Sequence, residues 1–140
     1  MSLDVNLYRQ INLKCDCGKI HLVKTGECVY DSNITHNLTN MAEKAGLYEA
    51  LWRPYRLKDG YINPEDYKVD GDIEDSTVMT SDDISPILEE GLKKLKKKPK
   101  YFSKFNPSNG WGTYNDFVIF VEKYLDACKK YPNSIIEVWR

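Results

Sequence analysis

The sequence predicts an α+β fold in which a small antiparallel sheet, an N-terminal hairpin plus a C-terminal strand, packs against three to four helices. Polar and apolar residues alternate in 3–13, 19–30 and 135–139, which is the period of half-buried strands. Between these segments apolar residues recur at helical spacing, most clearly in 34–45 and 114–130. Because the helical segments follow one another between strands, we expect the helices on one face of the sheet.

The first two strands are expected to form a hairpin. Leu3, Val5 and Leu7 alternate with polar residues in the first strand, and Asp16 and Gly18 mark the turn that follows it. A short turn between two alternating segments predicts antiparallel pairing.

Two helices are expected after the hairpin. The first is predicted over 34–45, with capping side chains in 31–33 and a stop at Gly46. A second, short helix is expected over 47–53, where Pro54 breaks it.

Two longer helices are predicted in the second half of the chain. One runs over 81–98 and is expected to be capped by Ser81 or Asp82. The other runs over 114–130 and is expected to be capped by Thr113. The aromatic segment between them is predicted to be a loop, which is rich in glycine and proline.

Length and composition indicate one domain over 1–140, with an acidic loop or insertion at about 59–83. The formal net charge of −1 disfavours a general nucleic-acid binder. No apolar run reaches the ~20 residues of a membrane span, and residues 1–8 lack the pattern of a signal peptide. We therefore expect a cytoplasmic protein with no membrane partner.

The cysteines do not predict a metal site. The chain has four of them, Cys15, Cys17, Cys28 and Cys128. The first three could form a tetrahedral zinc site with His21 or His36. However, the single residue between the first two is unusual for paired zinc ligands, so half-buried thiols at a turn are favoured. No metal and no cofactor is predicted.

Two segments, 33–37 and 106–114, carry more polar and aromatic side chains than a fold requires. Both are expected at helix N-termini, where free N–H groups and the helix dipole favour an anion or a carbonyl group. If they converge, they form a binding site for a small molecule. The predicted ligand-binding residues are Asn33, Thr35, His36, Asn37, Arg53, Asn109, Trp111, Thr113 and Tyr114.

The types of these side chains predict a nucleotide-like ligand. Trp111 and Tyr114 offer faces on which a ring can stack. His36 is expected to act as a donor or as a charge sensor, and Arg53 as a clamp for a phosphate or carboxylate. A purely structural alternative stays open, in which the polar residues cap helices and Trp111 anchors the loop.

Three stretches of this chain, NITHNL at 33–38, ALWRP at 50–54 and FNPSNGWGTY at 105–114, resemble a family of small uncharacterised phage and bacterial mobile-element proteins. The resemblance covers most of the chain and is weakest in the acidic stretch. The family brings no established biochemical activity. It implies a counter-defence context, in which small proteins bind a host protein or a nucleotide-derived signal.

Three hypotheses follow for the function. The first is a non-catalytic small-ligand binder that sequesters a nucleotide-derived immune signal. The second is an inhibitor that binds a host defence protein, because the acidic residues of 59–83 are segregated from the lysines of 93–104. The third is a metal-dependent or His36-dependent hydrolase. The aromatic content is compatible with a homo-oligomer.

Overall fold

A three-stranded sheet and five α-helices form the part of the chain that the computed structural model describes, residues 2–14, 16, 20–57 and 79–140. This arrangement confirms the predicted α+β class. In chain order the elements are β1 (Ser2–Lys14), β2 (Ile20–Thr35), a 3-10 turn (His36–Leu38), α1 (Thr39–Lys44), α2 (Tyr48–Trp52), a second 3-10 turn (Pro54–Leu57), α3 (Ser81–Lys97), α4 (Pro99–Ser103), α5 (Tyr114–Lys130) and β3 (Ile135–Trp139). Residues 59–78 of the predicted acidic loop lie outside the described residues, and its last residues, 81–83, belong to α3.

The sheet has the strand order β2-β1-β3, and both pairings are antiparallel. It therefore joins the predicted N-terminal hairpin to the predicted C-terminal strand. Asp4 of β1 lies opposite Asn33 of β2 on one side and opposite Trp139 of β3 on the other. Side chains alternate between the faces of a sheet, so these three residues share one face, which we call the outer face.

The opposite face of the sheet, which we call the inner face, forms one side of the hydrophobic core. Leu3, Val5 and Leu7 of β1 have no exposed side-chain surface. α3 and α5 pack against each other and complete this core with the buried residues Ile84, Leu88, Leu95, Phe117, Val121 and Tyr124. Each of these large apolar side chains contributes roughly 1.5–3 kcal/mol when it is fully buried.

The predicted helix over 34–45 is wrong in its first third. β2 continues to Thr35, because Ile34 pairs with Leu3 and enters the core with 8% of its surface exposed. A β-branched residue such as isoleucine suits a strand better than a helix. From Leu38 onward the helical spacing holds, and the buried residues are Leu38, Met41, Ala42 and Ala45.

The starts of the two long helices differ in how well the sequence predicts them. Thr113 caps α5 as expected, since its hydroxyl accepts a hydrogen bond from Asp116 N at 3.2 Å. The cap of α3 is Thr80, not Ser81 or Asp82, and the Asp83 carboxylate accepts from Thr80 N at 2.8 Å. Ser81 is instead buried, because its hydroxyl donates to the Tyr131 carbonyl at 2.8 Å.

The predicted loop of residues 101–112 begins later than expected, because α4 includes residues 101–103. Pro99 occupies the first turn of α4, where its missing N–H costs nothing. Within the described residues, no helix has the length and apolar character that crossing a membrane requires.

Candidate functional site

The two polar segments converge on one open cleft of about 750 Å³. One wall is the end of β2 with the 3-10 turn that follows it, and the other wall is the loop between α4 and α5. The lining residues are Ser2, Asn33, Thr35, His36, Asn37, Asn109 and Trp111. Sequence reasoning missed only Ser2, which has no motif around it and reaches the cleft through its pairing with Thr35.

The two walls meet where Gly112 packs against the end of β2. Its φ of +96° lies in a region that side-chain-bearing residues rarely adopt. A Cβ atom at this position would lie 2.6 Å from Thr35 Cγ2 and 3.1 Å from Leu38 Cδ1. Asn37 Nδ2 adds a long hydrogen bond of 3.5 Å to the Trp111 carbonyl. The loop can therefore approach the end of β2 this closely only because glycine has no side chain.

Short hydrogen bonds within the loop hold Trp111 in place. The Asn109 side-chain oxygen accepts from Trp111 N at 3.0 Å, and the Asn106 side-chain oxygen accepts from Tyr114 N at 2.7 Å. The backbone around Trp111 is thus fixed on both sides, while its side chain remains 71% exposed. Single exposed apolar residues are common, but a large aromatic ring at the rim of a cleft is available to stack on a ligand.

A hydrogen bond from Trp52 determines the protonation pattern of His36. Trp52 Nε1 donates to His36 Nδ1 at 2.9 Å, and the indole is 2% exposed and stacked on Tyr48. An indole nitrogen can only donate, so His36 Nδ1 must accept and neutral His36 carries its proton on Nε2. The polar group that His36 can offer to a molecule in the cleft is therefore an N–H donor.

The described side chains that line the cleft carry polar groups but no charged group. Its described lining consists of amide, hydroxyl, imidazole and indole side chains, with no lysine, arginine or carboxylate among them. Amide groups both donate and accept. The cleft can therefore recognise the edge of a neutral polar molecule, whereas a bound anion would find no cation there.

The expectation of two helix N-termini at the site is wrong for the first segment. Asn33 lies in a strand, and Thr35 caps only a 3-10 turn by accepting from Asn37 N at 3.3 Å. At the start of α5, Tyr114 N donates to the Asn106 side-chain oxygen at 2.7 Å and Asp116 N donates to the Thr113 hydroxyl at 3.2 Å. These two N–H groups are therefore already bonded and are not free for an anion.

Three predicted site residues, Arg53, Thr113 and Tyr114, do not line the cleft. The Tyr114 hydroxyl donates to the Leu95 carbonyl at 2.7 Å and so ties α5 to α3. Partial burial raises the pKa of this hydroxyl above its ordinary value, against the opposite effect of Lys96. Tyr114 is thus a structural contact between the helices, as the alternative interpretation of the sequence allowed.

The described residues provide no metal cluster, and the thiol of the buried Cys128 is not activated. No group of three His, Cys, Asp or Glu side chains suited to a metal ion occurs among them. Cys15 and Cys17 lie outside the described residues, so the zinc hypothesis for them stays untested. Cys128 is 1% exposed, and burial raises the pKa of its thiol to about 12. A thiol with such a pKa is protonated at neutral pH and is a poor nucleophile.

Comparisons with models of protein families, with curated proteins and with solved structures find no match for this chain. The resemblance to small phage and mobile-element proteins therefore stays a prediction.

Proposed function

We propose that this protein is a non-catalytic binder of a small polar molecule with at least one ring that can stack on an indole. The observation that carries the proposal is the cleft, in which an exposed indole stands beside an arc of side-chain amides. A ring stacked on Trp111 would bring its polar edge towards Asn33, Asn37 and His36. A volume of about 750 Å³ lies within the roughly 300–1,000 Å³ of typical small-molecule sites.

The hydrogen bonding of His36 favours binding over catalysis. A general base needs a free lone pair within reach of the proton that it removes. The Nδ1 lone pair of His36 already accepts from Trp52, and Nε2 carries the proton. Since His36 is the one titratable group in the described lining, the His-dependent hydrolase has little support from this cleft.

The finer proposal, sequestration of a nucleotide-derived immune signal in a phage or mobile-element context, rests on the sequence resemblance. Stacking of a base on Trp111 fits it. The phosphate clamp assigned to Arg53 does not lie in the described lining. We therefore propose that the cleft recognises the ring and its neutral polar edge.

Ligand-dependent thermal stabilisation tests the proposal. The probes are nucleosides, nucleotides, cyclic dinucleotides and simple sugars. A ligand that binds only the folded protein raises its stability by RT ln(1 + [L]/Kd), so the melting temperature should rise with the concentration of a bound probe. Trp111→Ala should abolish this rise, Trp111→Phe should retain part of it, and Tyr101→Ala should retain all of it. Tyr101 is the matched control, because it is an exposed aromatic residue that does not line the cleft.

Two results would contradict the proposal. One is the absence of a shift with every probe. The other is a shift of equal size in the native protein and in Trp111→Ala, which would place the binding elsewhere.

A further inference from the structure

A second cleft of about 500 Å³ adjoins the first on the outer face of the sheet. Its lining residues are Asp4, Asn6, Asp31, Ser32, Asn33 and Trp139. Asn33 lines both clefts, so they are continuous through this one side chain. We call the combined surface the Trp111–Trp139 track.

The register of the sheet determines the length of the track. Asn33, Asp4 and Trp139 lie side by side on three neighbouring strands. Neighbouring strands are 4.7–4.9 Å apart, so Asn33 and Trp139 are separated by about 10 Å. Trp111 lies against the 3-10 turn and lines only the first cleft, whereas Trp139 lines only the second. A ring stacked on Trp111 is therefore a different ring from one stacked on Trp139.

Both ends of the track present a large aromatic surface. The side chain of Trp111 is 71% exposed and that of Trp139 is 61% exposed, whereas Trp52 is buried. These two are the most exposed of the large hydrophobic residues in the described part of the chain. An extended ligand with a ring at each end would contact both indoles.

The charge of the track argues against an anionic ligand. The chain has 20 lysine and arginine residues, yet none lies in the described lining of either cleft. The lining does include two carboxylates, Asp4 and Asp31. A phosphate is normally bound by arginine, lysine or free backbone N–H groups, and carboxylates next to it would repel it.

The polar groups of the track suit hydroxyl groups. Carboxylates accept hydrogen bonds only, and side-chain amides both donate and accept. A row of such groups can bind neighbouring hydroxyls, which also donate and accept. Sugar rings combine hydroxyls at their edges with flat faces of C–H groups, and an indole offers the apolar surface against which such a face can pack.

We propose that the Trp111–Trp139 track binds an uncharged oligosaccharide, with one sugar ring on each tryptophan. This inference rests on the proposed function of the first cleft and names its ligand class. Between the two rings, the Asp4 carboxylate would accept hydrogen bonds from sugar hydroxyls, and the Asn33 amide would both donate to them and accept from them.

Isothermal titration with cellotetraose, maltotetraose and chitotetraose tests the inference. Each is compared with its own monosaccharide, and adenosine monophosphate and a cyclic dinucleotide serve as anionic probes. We expect at least one tetrasaccharide to bind more tightly than its monosaccharide by about tenfold or more, because a second ring gains its contact without a second loss of overall freedom. The affinity should not change between low and high salt, since the ligand is uncharged.

Three variants assign the binding to the track. Trp139→Ala should reduce the affinity for the tetrasaccharide to about that for the monosaccharide and leave the monosaccharide affinity unchanged. Trp111→Ala should abolish binding of both. Asp4→Asn should weaken sugar binding by removing an acceptor, but it would strengthen the binding of an anion by removing a repulsive charge. Each of these side chains is exposed, and circular dichroism verifies that the variants fold.

The outcomes separate this inference from the proposed function. Binding of the anionic probes alone, abolished in Trp111→Ala and unaffected in Trp139→Ala, would overturn the oligosaccharide and leave the first cleft as a binding site. A tetrasaccharide affinity that is the same in Trp139→Ala as in the native protein would overturn the two-ring arrangement. No binding of any sugar would overturn the inference, and the wider probe set for the first cleft then decides the proposed function.

Discussion

Replacement of Gly112 by alanine tests how the two walls of the cleft are held together. A side chain at a φ of +96° costs about 1–3 kcal/mol in backbone strain. The new Cβ atom would also lie 2.6 Å from Thr35 Cγ2, and overpacking of this kind costs about 1–3 kcal/mol. We therefore expect Gly112→Ala to lower the free energy of unfolding by about 2–6 kcal/mol, or to push the loop away from β2.

Gly110 provides the matched control for this substitution. Its φ of +75° is similar, but no atom lies within 4 Å of a Cβ built there. Gly110→Ala should therefore show the backbone strain alone, about 1–3 kcal/mol. Urea denaturation followed by circular dichroism gives both values, and the difference between the two variants measures the contact with β2.

A second substitution at the contact refines the test. Thr35→Ser removes the methyl group that a Cβ at position 112 would meet, and it keeps the hydroxyl that caps the 3-10 turn. The double variant should be less destabilised than the sum of the two single variants, by about 0.5–2 kcal/mol. Equal costs of Gly112→Ala and Gly110→Ala, together with additive effects at Thr35, would refute this account of how the loop is seated.

Three further predictions concern the core. Gly91→Ala should destabilise the protein by about 1–3 kcal/mol in urea denaturation, although alanine is the better helix former, because its Cβ would overlap the buried Leu47 side chain. A stabilised variant would show that Leu47 does not pack against α3 at Gly91 as described. Tyr124→Phe should raise the free energy of unfolding by up to about 1 kcal/mol, because the buried Tyr124 hydroxyl has no hydrogen-bond partner among the described residues; a clear loss of stability would mean that this hydroxyl is bonded. Burial raises the pKa of the Cys128 thiol from 9.0 to about 12. The contribution of this thiol to the free energy of unfolding is therefore fully present below pH 9.0 and is lost as the pH rises towards about 12. Between about pH 8 and pH 10 the native protein should lose about 1 kcal/mol more stability than Cys128→Ala, and parallel stability curves for the two proteins would contradict the shift.

Elements that depend on local sequence were predicted well. Thr113 caps α5 as expected, because a hydroxyl next to a free backbone N–H at the start of a helix is a contact within four residues. The strands 3–13 and 135–139 were found within a residue at either end, since alternation on a half-buried strand is visible in the sequence. Both signals are complete within a short window of the chain.

Elements that depend on a partner elsewhere in the chain were not predicted. Ile34 fits the helical spacing of Leu38, Met41 and Ala45, but its pairing with Leu3 keeps it in β2. The N-cap of α3 is Thr80, because the hydroxyl of Ser81 accepts from the distant Ser134 N at 3.0 Å and donates to the Tyr131 carbonyl. In both cases a contact between distant residues outweighs a local preference, which is worth only about 1 kcal/mol or less per residue.

The candidate site also combines features that are visible in the local sequence with features that depend on contacts between distant residues. The sequence by itself determined which residues are chemically suited to a ligand, since the amides, His36 and Trp111 stand out by type and clustering. Only the tertiary structure decided that they meet, because Asn37 and Trp111 are 74 residues apart and are brought together by the close approach at Gly112. It also decided that Arg53 stays outside the cleft and that Trp139 and Asp4 extend it. The register of a sheet and the packing of a loop are set by contacts between distant segments, and no local pattern in the sequence records them.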